Sequence, residues 1–267
     1  HVMTAAAGTT PAVELRRSPG SGVVELRGLV PEGGAPFFRN LSVDNPTLFF
    51  VTALRDALVA NGIEVRGPAV DIDLIPDPPR REDGVPLVIH RSMPLSSLAV
   101  TMMALSQNLY AETLLKTMGD GEVRDLPAGR KAALAVLDGW HVDPQDVLLA
   151  DGSGLSRYNL ITPKALATVL GEVAADTTLG PLFEASLPIA GRDGTLAGRL
   201  GGTRAEGNAR AKTGSFSNAR ALAGYLRTAD GERIAFAMIA NNFGTPPGMV
   251  ERAMDAMVVR LAEFTRR

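Results

Sequence analysis

Apolar residues return at helical spacing in several stretches of the chain and at alternate positions in others. Phe50, Leu54 and Leu58 form a stripe that opens where Asp44 or Asn45 can cap a helix with Pro46 at its first position, and Gly62 closes it. From Leu95 to Met118 the pattern is again helical, with Ala111, Leu114, Leu115 and Met118 on one face and Gly119 as the stop. Further helices are predicted over 128–138 and 163–174, the second capped by Thr162 with Pro163 just inside it. Val70, Ile72 and Leu74 alternate with Asp71 and Asp73, which predicts a half-buried strand, and Pro76–Gly84 reads as a solvated loop.

Toward the C-terminus the period changes. Asn208–Lys212, Arg220–Arg227 and Arg233–Asn241 read as strands, the last two joined through Asp230-Gly231, a dipeptide suited to a tight hairpin in which both central residues have φ > 0. Val250, Met254, Met257, Leu261 and Phe264 then predict an amphipathic helix that covers one face of this antiparallel meander. The expected fold is a mixed α/β architecture, an antiparallel sheet flanked by helices with a helical subdomain and a site in the crevice between. Residues 1–40 mix short β-rich runs such as Val23–Leu26 with Gly and Pro, and read as a remnant of an upstream or inserted β-rich region. Residues 41–267 form the main domain, helical over about 95–185 and sheet-forming over about 205–267.

Composition narrows the function. A hydrophobic share of 45% over 267 residues supports a real core. The net charge is −2 and the basic residues are scattered with never more than two adjacent, which argues against nucleic acid or an anionic membrane surface as partner. With no cysteine there is no disulfide, thiolate nucleophile or zinc-thiolate site, and His1, His90 and His141 share no ligand spacing. No metal and no cofactor is therefore expected. No apolar run is long enough for a spanning helix, and the opening "HVM" reads as a tag scar on a trimmed chain whose preceding residues are lost.

The candidate chemistry lies in two short segments. Lys212-Thr213-Gly214 opens a predicted strand: an ammonium and a hydroxyl can hold a substrate carboxylate, and a glycine lets another backbone lie against the strand. Alone, the triplet is equally an exposed strand-end lysine beside a turn glycine. Ser106 and Asn108 stand two apart in "SQNLYAETLLK" and would face apart on a regular helix, so the chain must turn there if both are to enter one cleft. By itself that triplet is more simply a helix cap.

Four segments taken in order are specific: "SQNLYAETLL" (106–115), "DGSGLSR" (151–157), "AGRDGTL" (190–196) and "KTGSFSNARALAGYL" (212–226). On these the chain resembles the penicillin-binding proteins, and more closely the D-alanyl-D-alanine carboxypeptidase/endopeptidases of the DacB (peptidase S13) family, from about residue 40 to the C-terminus. The resemblance implies a β-lactamase/transpeptidase-like fold and a serine-type peptidase that acts on peptidoglycan stem peptides through an acyl-enzyme. It also implies inhibition by β-lactams and a periplasmic or extracytoplasmic, cell-wall-associated location. Residue by residue, it implies that Ser106 relays a proton to the leaving amine, Asn108 holds the substrate amide and Lys212 keeps the site positive. Thr213, with Ser215 as a second candidate, would bind the terminal carboxylate beside Gly214, the Ser215 N–H would be an oxyanion donor, and Arg157 and Thr195 would line the substrate. Asp151, Gly152 and Gly154 can equally build a tight turn that leaves Arg157 solvated, and Thr195 reads more readily as a turn or cap residue than as a substrate contact.

The pattern departs from the family at Gln107, where aspartate is commoner, and in the nucleophile. The family's S-x-x-K is absent, because the residues three before Lys116, Lys131, Lys164 and Lys212 are Thr113, Ala128, Ile161 and Ala209. Thr113-Leu114-Leu115-Lys116 is a poor substitute, since its leucines belong to a core stripe on the helix that carries Asn108. The nucleophile segment is then expected ahead of this chain, and the edge it would cover is expected to pair with that segment or with another chain. Two alternatives remain: a non-catalytic fragment that binds peptidoglycan or a β-lactam, and a β-lactamase or esterase on the same fold.

Overall fold

The computed structural model describes residues 1–39, 41–79, 84–119 and 124–266, and divides into two compact units, His1–Ile89 and His90–Arg267. The sequence pattern alone places a division near residue 40. Residues 80–83 of the expected Pro76–Gly84 loop lie outside the described residues.

In the first unit β1 (Val2–Ala5) runs parallel to β3 (Glu25–Pro31), and β2 (Ala12–Arg16) pairs with β3 antiparallel, giving the order β1-β3-β2. Helix α1 (Pro46–Ala60) begins as its sequence predicts, with the Asn45 side chain accepting from the Leu48 N–H at 2.8 Å and Pro46 at the first position. No residue of α1 is buried. The strand expected over 70–74 is instead a single 3-10 turn, Ile72–Leu74. Two hydrogen bonds account for it: one Asp71 carboxylate oxygen accepts from the Asp73 N–H at 3.1 Å and the other from the distant Asn45 amide at 2.7 Å, which turns the backbone away from extension.

The second unit holds α2 (Leu95–Leu105), α3 (Asn108–Thr117), α4 (Leu126–Gly139), a short pair β4 (Val147–Leu148) and β5 (Leu160–Ile161), α5 (Pro163–Ala175) and α6 (Leu179–Ser186). A three-stranded antiparallel sheet follows, β6 (Arg210–Phe216), β7 (Ala219–Arg227) and β8 (Arg233–Asn241) in that order, and α7 (Pro247–Glu263) closes the chain. Strand alternation splits the core in two. Leu222, Leu226 and Phe236 face α7, where Met254, Val258 and Ala262 are buried, while Tyr225, Ala223 and Ala235 face Leu170, Phe183 and Met103 of α5, α6 and α2. The Tyr225 hydroxyl, inside that second layer, donates to the Leu170 carbonyl at 2.8 Å, and its ring meets Phe183 edge-on.

Three expectations need correction here. The strand read over Asn208–Lys212 is displaced: β6 runs from Arg210 through Phe216, so the lysine triplet lies inside it, with Lys212 its third residue, and does not open it. The β7–β8 hairpin is not a two-residue turn: Arg227 pairs with Arg233, the loop spans 228–232, and only Gly231 has positive φ, 87°. Thr228 makes the difference, since its hydroxyl accepts from the Glu232 N–H and donates to the Asp230 carboxylate, bracing a wider loop. Finally, α7 turns only part of its predicted face inward: Met254 is buried and Val250 and Leu261 pack against the core as expected, but Met257 and Phe264 do not. The buried row is Met254, Val258 and Ala262, whereas Met257 and Phe264 stand 52% and 47% exposed. Ion pairs from Arg220 to Glu251 and from Arg199 to Asp255, each 2.7 Å, fix this rotation.

Two apolar grooves of about 540 and 780 Å³ run beside β8 and α7, sharing Met238 and Met257. Among the described residues β8 pairs with β7 alone, so its outer edge is open. No described helix is long and apolar enough to cross a membrane.

Candidate active site

The turn that the Ser106/Asn108 spacing requires lies at Ser106 itself. Ser106 ends α2 in the left-handed region, with φ 54° and ψ 51°, and α3 starts at Asn108 two residues later. A non-glycine residue in this region carries strain, and such strain gathers at functional positions. Gln107, the departure from the family pattern, is the α3 N-cap, and its side-chain oxygen accepts from the Leu109 N–H over a long 3.4 Å.

Across from this corner, the Lys212 Nζ donates to Ser106 Oγ at 2.7 Å and to the Thr213 carbonyl at 2.8 Å. Burial pushes the Lys212 pKa below that of an ordinary lysine, because the ammonium is partly removed from water. The ammonium occupies an acceptor lone pair of Ser106, which leaves the hydroxyl proton free to point elsewhere.

The Ala190–Leu196 segment wedges between α2 and β6. Ala190 N–H donates to Ala209 O at 2.9 Å and Ala211 N–H to Pro188 O at 3.0 Å, which ties the segment to the start of β6. The Asp193 carboxylate accepts from the Ile189 N–H at 2.7 Å and folds the segment back on itself. Gly194, at φ 52°, passes so close to α2 that a Cβ there would lie 2.7 Å from the Ala104 carbonyl oxygen. Thr195 is thereby delivered to Thr213, whose hydroxyl donates to its own at 2.8 Å.

Along β6, Gly214 pairs with Ala221 and Ser215 with Arg220. The Ala211 N–H points away from β7, toward Pro188, and the two-residue period of a strand gives the Thr213 and Ser215 amides the same outward direction. Ser215 is exposed. At the far end of the strand, the Arg157 guanidinium sits over the Phe216 ring, 5.2 Å from its centre. Ser106, Lys212, Thr213 and Thr195 are thus joined by hydrogen bonds, and Arg157 reaches the end of the same strand. Asn108 is exposed at the α3 start and its side chain makes no hydrogen bond to the described residues.

Thr113 donates its hydroxyl to Leu109 O at 2.8 Å, so it is spent on its own helix. Among the described residues no group of His, Asp and Glu is placed to hold a metal ion. The two apolar grooves include neither Ser106 nor Lys212, so hydrogen bonding rather than concavity defines this site. Sequence reasoning missed Asp193 and Glu112, the second of which binds the Arg157 loop. The signals available for Glu112 were its place one turn after Asn108 on α3 and inside the 106–115 segment that carries the resemblance.

Ser106 and Lys212 thus meet where a helical layer faces an antiparallel strand, and they belong to the S-x-N and K-T-G elements of the serine acyl-transferase signature. The model of the D-Ala-D-Ala carboxypeptidase 3 (S13) family matches residues 1–264, and the chain belongs to that family. It is 35% identical over 271 residues to a D-alanyl-D-alanine carboxypeptidase of Actinomadura sp. (strain R39), covering 99% of this chain and 49% of that protein. It is 32% identical over 226 residues to D-alanyl-D-alanine carboxypeptidase DacB of Haemophilus influenzae, covering 83% of this chain and 46% of that one. Penicillin binding protein 4 (dacB) from Haemophilus influenzae, crystallised with a novel β-lactam, superposes with a TM-score of 0.78 at 27% identity over 95% of this chain and 60% of that chain. The chain therefore spans about half the length of the curated relatives it matches.

Proposed function

We propose that this chain is the substrate-facing half of a serine-type D-Ala-D-Ala carboxypeptidase/endopeptidase that acts on peptidoglycan stem peptides and binds β-lactams. The single observation that carries the reading is the 2.7 Å contact between Lys212 and Ser106, which brings the two sequence segments together across 106 residues of chain. A serine in polypeptide outside these 267 residues attacks the carbonyl between two D-alanines, giving an acyl-enzyme and releasing D-alanine, and water then hydrolyses the ester. Ser106 passes a proton to the leaving amine, and Lys212, already an easier proton donor than a free lysine, replenishes or steers it. Asn108 holds the substrate amide. Thr213, oriented by Thr195 and accompanied by Ser215, receives the terminal carboxylate. The outward amides of β6 accept the substrate main chain as an added strand, with the Ser215 N–H at the oxyanion and Gly214 permitting close approach. Arg157 contacts the peptide beyond. A substrate of this kind places the protein on the extracytoplasmic side, at the cell wall.

The open edge of β8 and the Met238–Met257 trench fit a further strand and helix of the same polypeptide, the part that the relatives have and this chain does not span.

Incubating the natural protein with a fluorescent penicillin and following the label tests the reading. Durable covalent labelling, together with release of D-alanine from an acyl-D-Ala-D-Ala peptide, is the expected result. Rapid loss of label with turnover of the drug would make the protein a β-lactamase, and absence of any label would leave only a binding role.

A further inference from the structure

Glu112 lies on α3, one turn beyond Asn108, and its side chain leaves the helix to meet a loop 40 residues on. One carboxylate oxygen accepts from the Ser153 N–H at 3.0 Å and the other from the Gly152 N–H at 3.2 Å. Such charge-assisted pairs to backbone amides are stronger than neutral ones. The contact is intimate, since a Cβ on Gly152 would fall 2.4 Å from the Ala111 carbonyl oxygen. The loop itself is stiff: Asp151 accepts from the Gly154 and Ser156 amides, each at 2.7 Å, and Asn159 donates to Asp151 at 2.7 Å while accepting from Ala150 N–H at 2.7 Å. A stiff loop fixed at one point transmits that position to its other end. Here the other end is Arg157, over Phe216 of β6.

We propose that Glu112 is a positioning residue: by gripping the Gly152 and Ser153 amides it holds the 151–159 loop on α3 and so keeps Arg157 above the end of β6, where the peptide portion of the substrate passes. The inference rests on the reading of Arg157 as a substrate contact. Glu112 connects the helix that presents Asn108 to the strand that presents Lys212, by a route separate from the Lys212–Ser106 hydrogen bond.

The test uses the natural protein with Glu112→Ala, Glu112→Gln, Arg157→Ala and the double variant Glu112→Ala/Arg157→Ala. Hydrogen–deuterium exchange of the peptide spanning 150–159 reads the loop, and KM and kcat for an acyl-D-Ala-D-Ala peptide read its consequence. Glu112→Ala is expected to speed exchange in that peptide by about tenfold or more and to raise KM by about three- to tenfold, with kcat within about twofold. Glu112→Gln keeps one acceptor and should fall between. Because Glu112 acts through Arg157, the double variant should show the KM of Arg157→Ala and no further rise. Additive losses in KM, or faster exchange with an unchanged KM, would overturn the proposal. If Glu112→Ala does not fold, the same comparison is made with Glu112→Gln. A wild-type protein that does not turn the peptide over would remove the functional reading instead, and unchanged exchange in the glutamate variants would separately remove the grip.

Discussion

The two units of this chain are held together by different means. Among the described residues every buried apolar side chain, from Leu115 to Ala262, belongs to the second unit, whereas the sole buried side chain of the first is the carboxylate Asp71. The second unit is built around oil, with Leu222, Leu226 and Val258 at 2% exposure or less on one side of its sheet and Tyr225 on the other. The first depends on strand pairing and on the Asn45–Asp71–Asp73 hydrogen bonds, and it leaves Phe49 and Phe50 of α1 61% and 65% exposed. All the candidate chemistry falls in the unit with the apolar core. A site that must hold a serine and a lysine at 2.7 Å needs walls that do not move, and close-packed side chains supply them.

The sharpest way to break this contrast is to cut the core. Leu222→Ala should cost about 3–5 kcal/mol, while Phe50→Ala should change stability by less than about 0.5 kcal/mol, both read by denaturant unfolding. Equal effects would show that the two units do not differ as described.

Lys212→Met separates chemistry from packing in the second unit. Covalent labelling of the natural protein by penicillin should slow by about a hundredfold or more, with no loss of thermal stability, because the substitution removes a charge that burial disfavours. The sign can be checked in alkali. The depressed pKa of the folded state means that the folded protein releases this proton before the unfolded chain does. The wild type should therefore gain on the variant as pH rises from that depressed pKa toward 10.5.

Asp71→Ala tests the first unit. It leaves the Asn45 amide and the Asp73 N–H without their partner, for a loss of about 1–3 kcal/mol, and exchange should quicken over 45–74 with 210–227 unaffected. A smaller loss is expected from Tyr225→Phe, which removes the bond to Leu170 for about 1 kcal/mol. Burial pushes the Tyr225 pKa up to about 12 from 10, so the folded state keeps a proton that the unfolded chain loses. Stability of the wild type should fall as pH rises from 10 through 12, and thermal denaturation of the phenylalanine variant should lack that component of the decline.

Much of the fold was legible because the signals are local. Asn45-Pro46 and Thr162-Pro163 mark helix starts, the turn between α2 and α3 follows from the separation of Ser106 and Asn108, and the β8 bounds match the Arg233–Asn241 run. What failed depended on partners that no window of sequence contains. Val70–Leu74 alternates well enough for a strand, but Asp71 finds Asn45 and the backbone turns. The α7 stripe allows more than one rotation, and Arg220 and Arg199 choose among them from outside the helix. Spacing made Ser106 and Lys212 candidates separately, and only the resemblance of four ordered segments suggested that they meet. Nothing in the letters suggested that Glu112 would reach the Arg157 loop, since that pairing spans 41 residues to Ser153.

The left-handed backbone at Ser106 has a bearing on engineering. Anyone optimising this polypeptide for heat tolerance would be drawn to that corner, where glycine relieves the torsion and an ordinary stability screen would reward the exchange. The rewarded variant would keep its helices, its sheet and its solubility, yet would leave Lys212 only the Thr213 carbonyl, with no hydroxyl across the corner. An assay that counts only folded protein would score that loss as an improvement.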